Sequence, residues 1–333
     1  MSKICKFVSL LVLTLSATVA FAQDAVMKPF VLASKGAGDM AQKVDATKAA
    51  LSKAGFTVAG SYSPYANTTV IGVTNDELRS TAAKSEHGGF GVAMRVAVVK
   101  VGNDVQVSYT NPPYWANVYR MNGELKDTAA KLQAALGKVE EFGAKGLTAA
   151  QLRKYHYAFG MEYFNEPNEF VQYGSHEEAV KAVEAGLAAG KNGVTKVYRV
   201  DVAGKKEVLF GVAMKGTGDN KIMDDAYIMN EIDFKDVKSA AHLPYDILVS
   251  DNKVYAQYAR FRIAVSFPDL SMMGANSFMN IMKSPEAIRE ALALTAGGKK
   301  DDNVAARAGI HTDAAIDHWN CDEIRECQSS PEC

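Results

Sequence analysis

Four methionines near the C-terminal end could act together as metal ligands: Met272, Met273, Met279 and Met282. Thioether sulfur is a soft ligand that suits Cu(I). Met279 and Met282 are three residues apart, which would place them on one face of a helix. Leu270, Phe278 and Ile281 are interleaved with them, a pattern typical of a packed core in which methionine fills irregular space. Core packing is the expected role, and copper binding is the alternative.

Two arginines precede the methionines in a segment whose alternation predicts a strand. Tyr258, Arg260 and Arg262 would share one face of that strand. The other face would carry the apolar side chains Phe261, Ile263, Val265 and Phe267. Neighbouring guanidinium groups can bind an anionic ligand through paired hydrogen bonds. A solvent-exposed sheet face with ordinary ion pairs is the alternative.

Aromatic side chains follow a predicted strand in the first half of the chain. Tyr114 and Trp115 come after Pro113, and Tyr119 lies one helical turn further on. Such rings could form a platform on which a sugar or a peptide stacks. Aromatic rings in this position are more often a lid over the core.

The C-terminal tail contains the side chains His311, His318, Cys321, Cys327 and Cys333. The five residues between successive cysteines do not match the spacing of a structural zinc site. In an oxidising compartment we expect one disulfide among the three cysteines and one leftover thiol. Metal binding by the tail is the alternative.

Familiar catalytic motifs are missing from the sequence. It contains no G-x-S-x-G, H-E-x-x-H or C-x-x-C. His156 and Glu162 would share a face of a strand predicted over 155–164, but six residues separate them by about 20 Å. Gly36-x-Gly38 resembles a dinucleotide-binding loop, but the acidic residue expected after it is absent. An enzyme is therefore the less favoured class, and no cofactor is predicted.

The N-terminus has the pattern of a secretory signal. Lys3 and Lys6 precede an apolar run over 7–19, and Ala20-Phe21-Ala22 fits a cleavage site. Cleavage after Ala22 would give a periplasmic or secreted protein, with no later segment long enough to span a membrane. The formal net charge is −1 and no basic block occurs, which argues against nucleic acid as a partner.

The remaining pattern predicts two halves with the same order of elements: strand, helix, hairpin, short helix, hairpin and closing helix. Leu51 corresponds to Leu187, Asn103 to Asn252, and Tyr109 to Tyr258. Helix caps are expected at Asp39, Asn75, Ser175 and Ser284. The predicted boundaries are a signal peptide over 1–22, a first repeat over 23–137, a linker over 138–152, a second repeat over 153–298 and a tail over 299–333.

A short motif in each half resembles a known bacterial family. In the second half it is Leu243-Pro244, then Ile247 to Val249, Asn252, Val254 and Tyr258. In the first half it is Val96 to Val99, Asn103, Val105, Val107, Tyr109 and Asn111-Pro112. Both are similar to the family numbered three hundred and two among the domains of unknown function. The resemblance implies a small antiparallel sheet with helices on one face, and it implies no activity.

Together these patterns predict an α+β fold of two related units, each a mainly antiparallel sheet with helices packed on one face. The expected function is non-catalytic binding of a small ligand or a partner by an exported protein. The alternative is periplasmic copper handling through the methionine segment or the tail.

Overall fold

The computed structural model describes residues 25–156 and 162–299. The predicted α+β class is confirmed, because helices accompany two antiparallel sheets of six and five strands. The predicted signal segment over 1–22 lies outside the described residues. So do His311, His318, Cys321, Cys327 and Cys333 of the tail.

The first sheet is formed by residues of the first half of the chain, in the strand order β2-β3-β4-β5-β1-β6. Its strands are β1 (Phe30–Ala37), β2 (Thr57–Tyr62), β3 (Thr68–Thr74), β4 (Met94–Val101), β5 (Asp104–Thr110) and β6 (Glu140–Phe142). Its helices are α1 (Met40–Lys53), α2 (Asp76–Ala83), α3 (Pro112–Val118), α4 (Lys126–Leu136) and α5 (Ala149–Arg153). A 3-10 turn, Gly88–Gly91, precedes β4.

The second sheet repeats this arrangement in the strand order β8-β9-β10-β11-β7. Its strands are β7 (Asn168–Gln172), β8 (Val194–Asp201), β9 (Glu207–Met214), β10 (Tyr245–Ser250) and β11 (Lys253–Ala256). Its helices are α6 (His176–Ala189), α7 (Asp225–Ile232), α8 (Ala259–Ser266) and α9 (Ser284–Thr295). The 3-10 turns are Gly218–Met223, Ala240–His242 and Phe278–Ile281. The order of β8 to β11 and β7 is that of β2 to β5 and β1.

The first helices of the two units correspond closely. Helices α1 and α6 each have 14 residues, and Leu51 and Leu187 are buried at equivalent positions. The Asp39 side chain caps α1 and the Ser175 side chain caps α6, as the sequence predicts. The two units therefore use the same helix signal at the same step of their topology.

Of two further predicted helix caps, one forms and the other does not. The Asn75 side chain accepts from the backbone N–H of Leu78, 2.8 Å away, and so caps α2 as predicted. Helix α9 begins at Ser284, with Pro285 in its first turn, so Ser284 is not the cap. The residue before it, Lys283, holds that position and makes no side-chain cap.

Each unit covers the second face of the other unit's sheet. After α2, the backbone N–H of Gly89 donates to Glu207 of β9 at 2.8 Å. After α7, the Gln106 side chain of β5 donates to the carbonyl of Asp236 at 2.8 Å, and Ala240 packs on the same sheet. Antiparallel sheets often leave one face in water. Here the exchanged segments join the two units, and the central strands β4, β5, β9 and β10 are buried on both faces.

The segment 138–152, expected to be a linker, is part of the first unit. Strand β6 pairs with β1, with Phe142 opposite Phe30. Helix α5 packs against α3. The strand predicted over 155–164 does not form at its described ends, 155–156 and 162–164. The outer strand of the second sheet is β7 instead.

The strand predicted through Tyr258 and Arg262 is a helix. Strand β11 ends at Ala256 and α8 follows, at the place that α3 holds in the first unit. Seven of the eight α8 residues are buried. A helix that is buried over most of its surface shows little 3.6-residue alternation between apolar and polar faces. Its sequence pattern therefore resembles that of a buried strand.

Candidate functional site

Arg262, predicted to bind an anion, lies inside the protein. Its guanidinium pairs with Asp246 of β10, and its Nη2 donates to the carbonyl of His242 at 2.8 Å. Arg95 of β4 pairs with the same carboxylate. The side chains of all three residues are 2% exposed. Arg262 therefore faces the interior, because α8 turns it toward the sheets, and Arg95 joins the first unit to the same carboxylate.

Aromatic groups surround this buried charge cluster. The Tyr198 hydroxyl donates to Asp246 Oδ1 at 3.3 Å, and the Arg262 guanidinium lies 5.7 Å from the Trp115 ring centre. Within the described part of the chain, the Nε atoms of Arg95 and Arg262 have no hydrogen-bond partner. One carboxylate therefore neutralises only part of the charge on the two arginines. Removing that carboxylate should lower the free energy of unfolding substantially.

The aromatic side chains expected as a stacking platform belong to the core. Tyr114 is 0% exposed and its hydroxyl donates to the carbonyl of Val265 at 2.7 Å. Trp115 is 1% exposed and its Nε1 donates to the carbonyl of Pro29 at 2.9 Å. Helix α3 points both rings at α8 and β1, so they form the lid that was the alternative.

A buried serine–histidine pair lies beside the charge cluster. His242 Nδ1 is 2.8 Å from Ser266 Oγ, and His242 Nε2 is 3.3 Å from the Tyr245 hydroxyl. Burial lowers the pKa of His242, and Arg262 lowers it further. Both side chains are enclosed, with Ser266 at 0% exposure. The pair therefore fixes the neutral imidazole in the core and presents no nucleophile to solvent.

Arg260 is the exposed residue of α8 and lies in the first turn of that helix. Its Nε donates to Glu162 at 2.7 Å, and its guanidinium lies 5.4 Å from the Tyr258 ring centre. Tyr258 is half-buried just before α8. Arg260 is thus separated from Arg262 and paired with a carboxylate, so the predicted two-arginine face does not form.

Arg260 and Glu162 stand at the rim of an apolar groove, here called the α8 groove. It is lined by Phe261, Ile263, Ala264 and Phe267, with Leu270 and Phe278 opposite. It contains about 440 Å³ of space that is continuous with solvent. The ion pair is therefore the polar feature at one edge of an apolar wall.

A second groove, here called the β6 groove, adjoins the first. The two share the walls Phe267 and Leu270, and the second contains about 390 Å³ of space open to solvent. Its other lining residues come from both units: Phe142, Gly143, Ile232, Asp233, Phe234, Lys235, Ser239 and Asp269. It therefore lies where β6 of the first unit meets the end of α7.

Asp233 is the distinctive polar group of the β6 groove. The residue is 7% exposed, and its Oδ1 accepts from the backbone N–H of Ser239 at 2.8 Å. Its Oδ2 is buried and has no hydrogen-bond partner among the residues that the structure describes. Burial raises the pKa of Asp233 to about 7, so near neutral pH the carboxyl exists in both protonation states. A carboxyl oxygen without a partner retains its capacity to accept a hydrogen bond.

Comparisons with known proteins give no identity here. No protein-family model, characterised protein or solved structure matches the chain. Among the described helices, none has the length and apolar character needed to cross a membrane.

The methionine segment lies beside the α8 groove. Met273 is 74%, Met279 46% and Met282 41% exposed. These three exposed side chains are here called the methionine rim. The core packing predicted for them is wrong, and Met272 is half-buried. Phe278 and Ile281 face inward and take the packing role instead. Over the described residues, no cluster of three or more His, Cys, Asp or Glu side chains could hold a metal.

Sequence reasoning found part of this site and missed the rest. It singled out Arg260 and the methionine rim, which border the α8 groove. It did not single out Asp233 or use Phe267 as a wall. The interleaved Leu270 and Phe278 were a signal for an apolar segment, but their groove exists only because α8 is a helix.

Proposed function

We propose that this protein is a non-catalytic binding protein that holds a small amphipathic ligand across the α8 and β6 grooves. The apolar body of the ligand lies on Phe267 and Leu270, and a hydrogen-bond donor on it reaches Asp233. The observation that carries the proposal is Asp233, which lines the mainly apolar β6 groove and whose Oδ2 has no hydrogen-bond partner among the described residues.

The energetics favour such a ligand over a purely polar one. The walls are mainly apolar, so binding would remove apolar surface from water, worth roughly 25 cal/mol per Å² before the costs of association. A buried oxygen without a partner destabilises the free protein, and a donor on the ligand would relieve that cost. Apolar walls with a few placed polar groups are the usual form of a small-molecule site.

Export is part of the proposal. The basic start, apolar run and Ala20-Phe21-Ala22 site support secretion with a mature chain from about Gln23. We also propose membership of the family of unknown function that the two motifs resemble. The shared strand order of the two units supports an internal repeat of one domain.

A pair of probes tests the proposed site. The mature chain should bind the fluorescent amine 1-aminoanthracene at one saturable site. It should bind anthracene about fivefold more weakly, because a neutral hydrogen bond contributes about 1 kcal/mol. Asp233→Asn presents a donor instead of an acceptor and should abolish this preference. Fluorescence titration of both probes measures it.

A filled groove is the matched test. Ala264→Trp on α8 should reduce 1-aminoanthracene affinity at least tenfold, while Ala134→Trp on an exposed position of α4 should leave it unchanged. Circular dichroism should show both variants folded. Equal binding by the two variants, or none by the unmodified chain, would remove the proposed function.

Copper handling is the second candidate, favoured by the exposure of three thioethers in the methionine rim. If it is correct, the mature chain binds Cu(I) tightly, and the Met279→Leu/Met282→Leu variant loses that binding. Leucine preserves apolar volume, so the same variant should keep its affinity for 1-aminoanthracene. Titration of the unmodified chain and of this variant with Cu(I), against a competing chelator, decides between the two functions. If the unmodified chain binds no Cu(I), the copper candidate is excluded.

A further inference from the structure

The segment that carries the second unit onto the first sheet begins with α7 and is here called the α7 joint (residues 224–242). Gln106 of β5 accepts from the backbone N–H of Lys238 at 3.0 Å, and Ser108 donates to the Lys238 carbonyl at 3.4 Å. Ala240 is fully buried against the same sheet. These contacts are neutral hydrogen bonds and a small apolar side chain, each of modest strength. A change in charge within the α7 joint can therefore alter how firmly it is held.

A buried carboxyl stands at each end of α7. Asp225 is 1% exposed, and its Oδ2 accepts from the Tyr62 hydroxyl at 2.9 Å and from the backbone N–H of Met214 at 3.2 Å. At the other end, Asp233 accepts from Ser239 through Oδ1. Within the described ranges, the second oxygen of each carboxyl has no hydrogen-bond partner and neither carboxyl has an ion-pair partner. Burial without a cation favours the protonated form of both.

The corresponding segment of the first unit holds its acidic groups differently. Helices α2 and α7 both have eight residues and begin with an aspartate, but the Asp76 side chain of α2 is fully exposed. The carboxylate that accepts from Gly89 in the following turn is Glu207, which forms an ion pair with Lys205 at 2.9 Å. The two crossings therefore share a topology, while the buried carboxyls that lack an ion pair belong to the α7 joint.

The groups that face Asp225 do not supply a positive charge. Burial raises its pKa to about 7, and the neighbouring Asp224 raises it further, against the lowering effect of the two hydrogen bonds. Tyr62 and Tyr65 face it from the first unit, and Tyr245 faces it from β10. Burial raises the pKa of each tyrosine above its usual value, so all three stay neutral while Asp225 titrates.

Around Asp233 the charges are mixed. Lys238 lowers its pKa, but the Lys238 ammonium donates to the backbone carbonyl of Asp233 at 2.9 Å. Tyr65 is the titratable group of the first unit that lies near it. Lys235 and Asp269 line the same groove with opposite charges. Burial outweighs the lysine, and the pKa of Asp233 stays near 7.

We propose that the α7 joint is a proton-controlled contact between the two units, closed while Asp225 and Asp233 are protonated and loosened when they lose their protons. An open joint returns both carboxyls to water, where an aspartate ionises at about pH 4. The closed joint therefore binds protons more tightly than the open joint. Opening becomes easier as the pH rises from about 4 to about 7 and levels off above that range. This joint acts whether or not the grooves bind a ligand.

Hydrogen exchange of the mature chain tests the joint, because backbone amides of the joint have defined acceptors. The N–H groups of Asp233 and His242 donate to the carbonyls of Met229 and Ser239, each at 2.9 Å. The protection factor is the exchange rate of the unfolded chain divided by that of the folded chain at the same pH. For peptides from 228–242 it should fall at least tenfold between about pH 5.5 and pH 7.5. For peptides from 86–93, the equivalent crossing, it should change less than threefold.

Asparagine variants assign the effect to the two carboxyls. Asp225→Asn/Asp233→Asn preserves both shapes and removes both titrations, so its protection factor over 228–242 should be the same at the two pH values. Each single variant should retain part of the pH effect, which tests the assignment even if the double variant does not fold. Asp76→Asn, at the exposed equivalent position of α2, should leave the full effect.

Three results would overturn the proposal. The first is an unchanged protection factor over 228–242 in the unmodified chain. The second is an equal loss over 86–93, which would place the pH effect on the whole fold. The third is a full pH effect in the double variant or, where that variant does not fold, in both single variants.

Discussion

Replacing Asp246 with asparagine should destabilise the folded protein by about 3–5 kcal/mol. The change preserves side-chain shape but leaves the Arg95 and Arg262 guanidiniums buried with no carboxylate between them. Both arginines already have an unpartnered Nε, so little is available to compensate. Urea unfolding followed by circular dichroism measures the free energy of unfolding.

A surface carboxylate provides the control for this experiment. Glu169→Gln removes the exposed ion pair with Lys253 and should change the free energy of unfolding by less than about 0.5 kcal/mol. If Asp246→Asn costs no more than Glu169→Gln, the buried cluster does not hold the two units together. For the same reason, Arg262→Ala cannot test a ligand site, because unfolding of the protein would itself abolish binding.

Local signals in the sequence predicted much of the fold. The caps at Asp39, Asn75 and Ser175 are short-range features whose chemistry is complete within a few residues. They are therefore visible without any tertiary information. The parallel order of elements in the two halves follows from these signals and predicted the matching topology of the two sheets.

Non-local features could not be predicted in the same way. Helix α8 was missed because burial on all sides removes its helical periodicity. The exchange of segments across the sheets, shown by Gly89 on β9 and Ala240 on the first sheet, depends on how two units dock. The pairing of Arg95 with Asp246 joins residues that lie far apart in the sequence. No local pattern selects that partner.

The candidate site was predicted only in part, because some of its features are non-local. Arg260 and Met279 were chosen for their chemical type, and both border the α8 groove. Asp233 looks in the sequence like one more acidic residue near a helix end. Only in the folded chain does Asp233 line a groove together with Phe267 and Leu270, which come from another part of the sequence.

Replacing Gly211 with alanine should destabilise the protein by about 1–3 kcal/mol, against the usual direction of this change in a strand. The Tyr198 ring lies against Gly211 of β9 and Gly72 of β3, and a Cβ at either position would overlap it. The ring cannot move away easily because its hydroxyl donates to Asp246. Thermal and urea unfolding measure the loss.

Two comparisons isolate the cause. Gly36→Ala on β1, where a Cβ meets nothing within 4 Å, should be neutral or slightly stabilising. In a Tyr198→Ala background, Gly211→Ala should cost little, so the two changes should be strongly non-additive. Additive effects would mean that the Tyr198 ring does not cause the cost at Gly211. Non-additive effects would show that position 211 requires glycine because the Tyr198 ring occupies the space that a Cβ would need.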